Sequence, residues 1–82
     1  MWFVYILQSE KDGSYYIGST GNLEDRISRH NSKRSLATKG KIPWKLVYTE
    51  NLETRSQAVQ RELQIKNKHS KKYLEQLISS EI

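Results

Sequence analysis

Cysteine is absent from the 82 residues, proline occurs once and glycine four times. Without cysteine the chain has no disulfide framework and no thiolate metal site, which excludes zinc fingers and agrees with a reducing compartment. Long hydrophobic runs are also missing. The longest, Trp2 to Leu7, is far shorter than the ~20 residues that cross a membrane and lacks the flanking features of a signal peptide. The sequence therefore predicts a cytoplasmic protein with no membrane attachment.

Acidic residues are few compared with basic ones, at 9 Asp and Glu against 14 Lys and Arg, which gives a net charge of +5. No acidic residue occurs between Arg26 and Lys45, and a second basic cluster spans Lys66 to Lys72. A solvated surface would explain either stretch alone, whereas the two together favour binding to phosphates. The candidate nucleic-acid-binding residues of the first stretch are Arg29, Lys33, Arg34, Lys39 and Lys41.

The length fits one domain, residues 1–82, with a small core in which two Trp, five Tyr and one Phe supply much of the buried area. The run from Trp2 to Leu7 is apolar at every position, which predicts a central strand covered on both faces. The dipeptide Asp12-Gly13 then predicts a hairpin turn, and residues 15–18 form the return strand.

The length of the hairpin loop decides which residues share a face of the sheet. A loop of two or four residues puts Tyr5, Tyr16 and Gly18 on one face, whereas a loop of three residues separates them. With four residues, Tyr5 lies diagonally from Tyr16, roughly 7–8 Å away between backbones. At Gly18 the missing side chain lets another group approach the strand closely.

Three helices and one further strand complete the predicted fold. Asn22 is a predicted N-cap for a helix over 23–31, and a capping box at Thr54 opens a helix that ends near Lys66. A last helix covers 71–79.

The third strand is predicted over 44–50, where Trp44, Leu46 and Tyr48 alternate with Lys45, Val47 and Thr49. The fold class is α/β in the broad sense, more narrowly α+β. It has a three-stranded, mainly antiparallel sheet flanked by helices, in the order β-β-α-β-α-α.

A carboxylate interrupts the apolar arc of the second long helix. At 100° per residue, Glu62 lies about 40° from Ala58 and well inside the arc. The arc itself consists of Ala58, Val59, Leu63 and Ile65. An ion pair with Lys66 at i, i+4 and a metal ion are two explanations that the helix alone leaves equally open.

Arg26 and His30 flank the apolar stripe of the first helix, one turn apart, so both can reach one ligand. Taken singly, His30 is equally a surface histidine favoured by the negative end of the helix dipole. Together with Tyr5, Tyr16 and Glu62, these two residues match the needs of phosphodiester hydrolysis. That reaction requires activation of water, positive charge on the phosphate oxygens and, here, one divalent metal.

The order of these motifs resembles the GIY-YIG nuclease domain, over about residues 2 to 78, and the size is closest to the small stand-alone bacterial members. The first motif is Phe3-Val4-Tyr5, and Tyr16-Ile17-Gly18 follows after ten intervening residues. Arg26 and His30 lie on the next predicted helix and Glu62 on a later one.

The resemblance implies cleavage of DNA with one Mg²⁺ or Mn²⁺ ion, with RNA as an open alternative. Carried over to this chain, Glu62 holds the metal and Arg26 stabilises charge on the scissile phosphate. Tyr5 and Tyr16 position or deprotonate the attacking water, assisted by His30. DNA repair or processing would be the setting of such an activity.

Gly18, in the same comparison, keeps the end of its strand open for the phosphate, with no side chain over it. The sequence departs from the family pattern at three places. Phe3 stands where the family name has Gly, Ser19 stands where some members have Lys, and Asn67 is too close to Glu62 to match a downstream Asn of many members. Two other functions stay open: a non-catalytic nucleic-acid-binding module on the same fold, and an interaction protein whose charge serves solubility.

Overall fold

The structure, a computed structural model, describes residues 1–32, 38–68 and 70–80. Its elements are β1 (Trp2–Ser9), β2 (Tyr15–Thr20), α1 (Leu23–Asn31), β3 (Trp44–Leu52), α2 (Arg55–Asn67) and α3 (Lys71–Ser79). The predicted order of elements is confirmed, and α1 and α3 have the predicted bounds. A short 3-10 helix, Lys39–Lys41, lies between α1 and β3. Among the helices in the described ranges, none is long and apolar enough to span a bilayer.

The hairpin between β1 and β2 has a loop of four residues, 10–13. The Ser9 amide donates to the Ser14 carbonyl at 2.8 Å, and the Gly13 amide donates back to the Ser9 carbonyl at 2.9 Å. Gly13 has a φ of 78°, a left-handed conformation that glycine adopts without steric cost. This loop sets the register in which Tyr5 pairs with Gly18, one of the two registers that the sequence left open.

The sheet is antiparallel, with strand order β2-β1-β3, so β1 is central as predicted. Its residues Val4, Tyr5, Ile6 and Leu7 are all fully buried, because helices cover both faces of the sheet. On one face, Val4 and Ile6 pack with residues of α2 and α3. On the other face, Tyr5 and Leu7 pack with Trp44 and with residues of α1. The two clusters are separated by the sheet itself.

A bulge interrupts β3 at Val47. Ile6 of β1 pairs with Tyr48 while Leu7 pairs with Leu46, so one residue of β3 has no partner. The extra residue reverses the alternation of side chains, and therefore Trp44 and Leu46 face α1 whereas Tyr48 faces α2 and α3. The expected simple alternation of Trp44, Leu46 and Tyr48 is wrong beyond this point.

The buried side of α2 is narrower than the sequence suggested. Ala58 and Ile65 are fully buried against the sheet, but Val59 is 39% and Leu63 is 53% exposed. The expected apolar arc is therefore wrong at these two residues, because the helix turns its 58–65 edge toward the strands. Glu62 lies about 40° from Ala58 on the helix wheel and is half-buried, as its position in the arc predicted.

Candidate active site

A buried chain of three polar side chains connects the central strand to α1. The Tyr5 hydroxyl and His30 Nε2 are 3.1 Å apart, and His30 Nδ1 and the Thr38 hydroxyl are 2.9 Å apart. A neutral imidazole donates one of these hydrogen bonds and accepts the other. Thr38 is held in turn because its carbonyl accepts a hydrogen bond from Trp44 Nε1 at 3.0 Å. The chain fixes both the ring of His30 and the phenol of Tyr5.

Tyr16 lies beside this chain on the same face of the sheet. Its ring centroid is 4.7 Å from that of His30 and 6.4 Å from that of Tyr5. Trp44 contacts Tyr16 edge-on at 6.2 Å between centroids. Tyr16 is half-buried whereas Tyr5 is fully buried, so Tyr16 is the phenol that solvent reaches. The predicted shared face and diagonal placement of the two tyrosines are confirmed by the register.

Gly18 lies directly opposite Tyr5, and the phenol occupies the space above it. A Cβ atom built on Gly18 would be 2.5 Å from the Tyr5 hydroxyl oxygen and 2.7 Å from the ring carbon that bears it. A close approach to the Gly18 backbone was predicted, and here the approaching group is Tyr5. The expectation that no side chain lies over Gly18 is wrong, because cross-strand pairing places the Tyr5 ring there.

Burial sets the protonation of Tyr5 and His30. Desolvation, with a smaller effect of neighbouring Tyr16, raises the pKa of Tyr5 to about 12, although the positive charge of Arg26 opposes the shift. Desolvation also lowers the pKa of His30, and the charge of Arg26 lowers it further. At neutral pH the phenol is therefore protonated and the imidazole is neutral. Glu62 also contributes to raising the pKa of Tyr5, as the smallest of these effects.

Arg26 lies half-buried on α1, close enough to affect the pKa values of both Tyr5 and His30. Its Nε atom is buried and has no hydrogen-bond partner within the part of the chain that the structure describes. A buried charged donor without a partner is costly, and a bound anion would satisfy it.

Glu62 reaches the site from the other face of the sheet. Its Oε1 accepts a hydrogen bond from the Ser19 hydroxyl at 2.6 Å, and its Oε2 accepts one from Lys66 Nζ at 2.6 Å. The ion pair with Lys66, one of the two explanations that the sequence left open, is therefore present. Ser19 follows Gly18 on β2, so the two residues point to opposite faces. The edge strand β2 thus joins a phenol side, with Tyr5, to a carboxylate side, with Glu62.

The carboxylate side fits a hard divalent cation. Mg²⁺ is usually held by one or two carboxylates, several waters and substrate phosphates, so Glu62 supplies the donor type that it requires. No group of three or more His, Cys, Asp or Glu residues that could hold a metal occurs among residues 1–32, 38–68 and 70–80. The site therefore does not fit zinc, which takes three or four protein ligands.

Three of the candidate phosphate-binding residues, Arg29, Lys39 and Lys41, are exposed on the surface. Arg29 forms an ion pair with Asp25 at 3.2 Å, and Lys41 forms one with Asp12 at 3.6 Å. Both pairs are half exposed, so they cost little to exchange for a phosphate. Lys39 is also exposed, on the 3-10 helix. The remaining two residues of the predicted set, Lys33 and Arg34, lie outside the described residues.

Two residues of the site were missed by sequence reasoning. Thr38 lies in a polar segment without periodicity, so nothing in the sequence marks it as buried. Ser19 could have been predicted from the sequence. It follows Gly18 on the strand and therefore faces the opposite side, and a half-buried Glu62 requires a hydrogen-bond donor.

The sequence matches the family model described as the GIY-YIG catalytic domain over residues 1–74. Its antiparallel sheet, its helices and the placement of the motif residues agree with that match. The chain belongs to the GIY-YIG family, which is a family of nucleases that act on nucleic acid.

Relatives of similar size are UPF0213 proteins of bacteria. The UPF0213 protein of Clostridium perfringens is 47% identical over 81 residues, which are 98% of this chain and 85% of that protein. The UPF0213 protein of Desulfotalea psychrophila is 46% identical over 67 residues, 79% of this chain and only 60% of that protein. A solution NMR structure of the UPF0213 protein of Bacillus halodurans is similar with a TM-score of 0.60 and 36% identity. The similarity covers 96% of this chain and 84% of the Bacillus halodurans chain.

Proposed function

We propose that the protein is a divalent-metal-dependent endonuclease that hydrolyses phosphodiester bonds in DNA with low sequence specificity. The observation that carries this proposal is the buried Nε of Arg26, which has no hydrogen-bond partner among residues 1–32, 38–68 and 70–80 and lies near the hydrogen-bonded Tyr5 and His30. A site that cleaves phosphodiesters needs a cationic donor that can bind a phosphate oxygen and a nearby neutral base, and Arg26 and His30 supply these two groups.

The residues divide the chemistry between them. Arg26 binds a non-bridging oxygen of the scissile phosphate and stabilises the charge that develops there. Tyr16, the solvent-accessible phenol, positions the attacking water. Tyr5 stays protonated because of its raised pKa, and its hydrogen bond to His30 links the water to a neutral imidazole that can accept a proton.

Glu62 is the residue that would hold Mg²⁺ or Mn²⁺. When bound, the metal supplies Lewis-acid stabilisation of the phosphate and lowers the pKa of water. Ser19 contributes by holding Oε1 of Glu62 with its hydroxyl, which fixes the orientation of the carboxylate.

DNA is bound mainly through its backbone, by the candidate basic residues of the stretch between Arg26 and Lys45. These residues are Arg29, Lys33, Arg34, Lys39 and Lys41. Contacts to phosphate carry no sequence information, which supports low specificity. Branched, nicked or damaged DNA is the candidate substrate in repair or processing. We propose the cytoplasm as the compartment, supported by the absence of cysteine from the sequence.

A non-catalytic binding module is the second candidate function. The observation that favours it is that both oxygens of Glu62 already have partners, Ser19 and Lys66. A carboxylate so engaged can serve only to hold α2 against β2. On this alternative the basic surface binds nucleic acid and Glu62 has no metal.

The first prediction distinguishes the two functions through Glu62→Gln, which preserves size and removes the charge. We expect cleavage to drop by at least about 10²-fold, because the metal loses its only protein carboxylate, while DNA binding stays the same or tightens slightly from lost repulsion. The measurement is a nicking assay and a DNA-binding titration on duplex, single-stranded and branched DNA, each with Mg²⁺, Mn²⁺ or EDTA.

Gln60→Ala is the matched control, because it changes an exposed position on the same helix without touching the site. If Glu62→Gln cleaves like the parent, Glu62 is not the metal ligand. If the parent itself is inert on every form of DNA with every metal, the binding module is the correct function.

A further inference from the structure

Lys66 is the one contact of Glu62 that a metal would have to disturb. Its Nζ donates to Oε2 of Glu62 at 2.6 Å, yet its side chain is 46% exposed whereas that of Glu62 is 18% exposed. The ammonium sits on a long flexible stem and can move into solvent, while the short Ser19 side chain stays on its strand. Lys66 is therefore the exchangeable partner of the carboxylate, and Ser19 is the fixed one.

The charges at this pair favour binding of two ligands at once. The Glu62–Lys66 pair is neutral, so a divalent cation that joins it alone brings uncompensated positive charge next to an ammonium. A DNA phosphate that binds without the metal lies next to the negatively charged carboxylate, which repels it. When both arrive, the metal takes the carboxylate and the ammonium takes the phosphate, so that the net charge falls from +2 with the metal alone to +1.

We infer that Lys66 is a phosphate-binding residue that exchanges Glu62 for an oxygen of the DNA backbone and thereby couples metal binding to DNA binding. The inference rests on the proposed function, since it requires Glu62 to be the metal ligand. Coupling between two ligands is reciprocal, so the metal raises DNA affinity by the same factor as DNA raises metal affinity.

The first measurement takes the metal alone. Binding of Mn²⁺ to the full chain without DNA is followed by electron paramagnetic resonance of the free ion. Lys66→Met removes the competing ammonium, and we expect it to tighten Mn²⁺ binding about tenfold, within the usual range of coupling factors. Lys68→Met removes the same charge from the exposed end of the same helix, and we expect a change of less than about twofold.

The second measurement takes both ligands. Fluorescence anisotropy gives the affinity for a labelled duplex with hydrolysis-resistant phosphorothioate linkages, with and without Mn²⁺ at equal ionic strength. Direct attraction between metal and phosphate acts in every variant, so the difference between variants isolates Lys66. We expect the gain in affinity caused by Mn²⁺ to be about tenfold larger in the parent than in Lys66→Met, and to return in Lys66→Arg.

The outcomes separate the two proposals. If Mn²⁺ binds the parent but not Glu62→Gln, and Lys66→Met changes neither the metal affinity nor the gain, the role of Lys66 is overturned while the metal site stands. If the parent binds no Mn²⁺ in either measurement, the metal assignment of Glu62 fails and the role of Lys66 fails with it.

Discussion

At the scale of single residues, Gly18 has the most restricted surroundings near the site. A methyl group there would lie 2.5 Å from the hydroxyl oxygen of Tyr5, a fully buried side chain held by His30. We therefore expect Gly18→Ala to destabilise the protein by about 1–3 kcal/mol, as overpacking does, and to displace the phenol and abolish cleavage. Urea unfolding and the nicking assay measure the two effects.

Gly40→Ala is the matched control for this prediction. No atom lies within 4 Å of a Cβ built on Gly40, so its replacement should change the free energy of unfolding by no more than about 0.5 kcal/mol. Equal stability of the two variants would show that Tyr5 does not occupy the space above Gly18.

The protonation of His30 gives a second prediction at this scale. Burial and the charge of Arg26 lower its pKa below the ordinary 6.5, so the unfolded chain binds more protons than the folded one just below that pH. The contribution of neutral His30 to stability is thus present above about pH 6.5 and is lost as pH falls toward the lowered pKa.

We expect the difference in free energy of unfolding between the parent and His30→Gln to shrink when the pH is lowered from about 7 to about 5. Urea unfolding at several pH values within this window is the measurement, and subtraction of the two proteins removes groups that titrate equally in both. A difference that is constant with pH would mean that His30 keeps its ordinary pKa.

Candidate site residues that interrupt a sequence pattern could be predicted, whereas residues that interrupt no pattern could not. Glu62 stood out because it fell among apolar residues of a helix, and Tyr5 and Tyr16 because they flanked a hairpin. Thr38 interrupts nothing: its burial follows from the tertiary contact between the loop and His30, which no local period reports. The position of the Tyr5 ring over Gly18 likewise depended on a loop length that the sequence left open.

At the scale of elements, α2 positions the carboxylate through an unusual buried edge. Ala58 and Ile65 anchor it in the core, and between them lie Arg61 and Glu62, both half-buried. Arg61 Nε donates to a carboxylate oxygen of Glu50 at 2.9 Å, so the two charged residues of this edge are each paired. Ala58 and Ile65 are the fully buried side chains of α2, and we expect its N-terminal cap to add to the stability that this packing gives.

The capping box of α2 tests this dependence. The Thr54 hydroxyl accepts from the Gln57 amide, and the Gln57 side chain accepts from the Thr54 amide. We expect Thr54→Ala to lower the free energy of unfolding by about 1 kcal/mol, whereas Ser56→Ala, an exposed neighbour in the first turn, should change it by less than about 0.5 kcal/mol. Urea unfolding of both variants is the measurement; equal values would mean that the cap does not support α2.

Bounds of the helices were predictable because caps and turns are local signals, as Asn22 and Thr54 show. The bulge in β3 was not, because a bulge is set by pairing with a partner strand rather than by composition. The predicted apolar arc of α2 included Val59 and Leu63 because apolar residues usually mark the buried face of a helix. In the structure both side chains are exposed, since tertiary packing decides which face is buried.

At the scale of the whole molecule, the basic surface predicts how binding depends on salt. If about four phosphates are neutralised, log K should fall with log salt at a slope near −3.6. We expect Lys39→Ala to make the slope shallower by about 1, because that residue is exposed beside the phenol side of the site. Affinities measured by anisotropy at several salt concentrations give both slopes.

Lys72→Ala is the comparison variant, because it removes the same charge from the second basic cluster, on α3, which packs on the opposite face of the sheet from Tyr5. An equal change of slope in the two variants would mean that both basic clusters contact phosphates. If the DNA affinity of the parent does not change with salt concentration, the basic residues do not bind phosphates and serve solubility instead.

The four-residue hairpin restricts how this protein can change over generations. Successive residues of β2 serve opposite sides of the site, with Gly18 under Tyr5 and Ser19 on Glu62. A shift of the pairing by one residue would exchange those two residues, so both sides of the site would be lost together. A change in loop length is therefore compatible with the site only where the pairing of Tyr5 with Gly18 is kept.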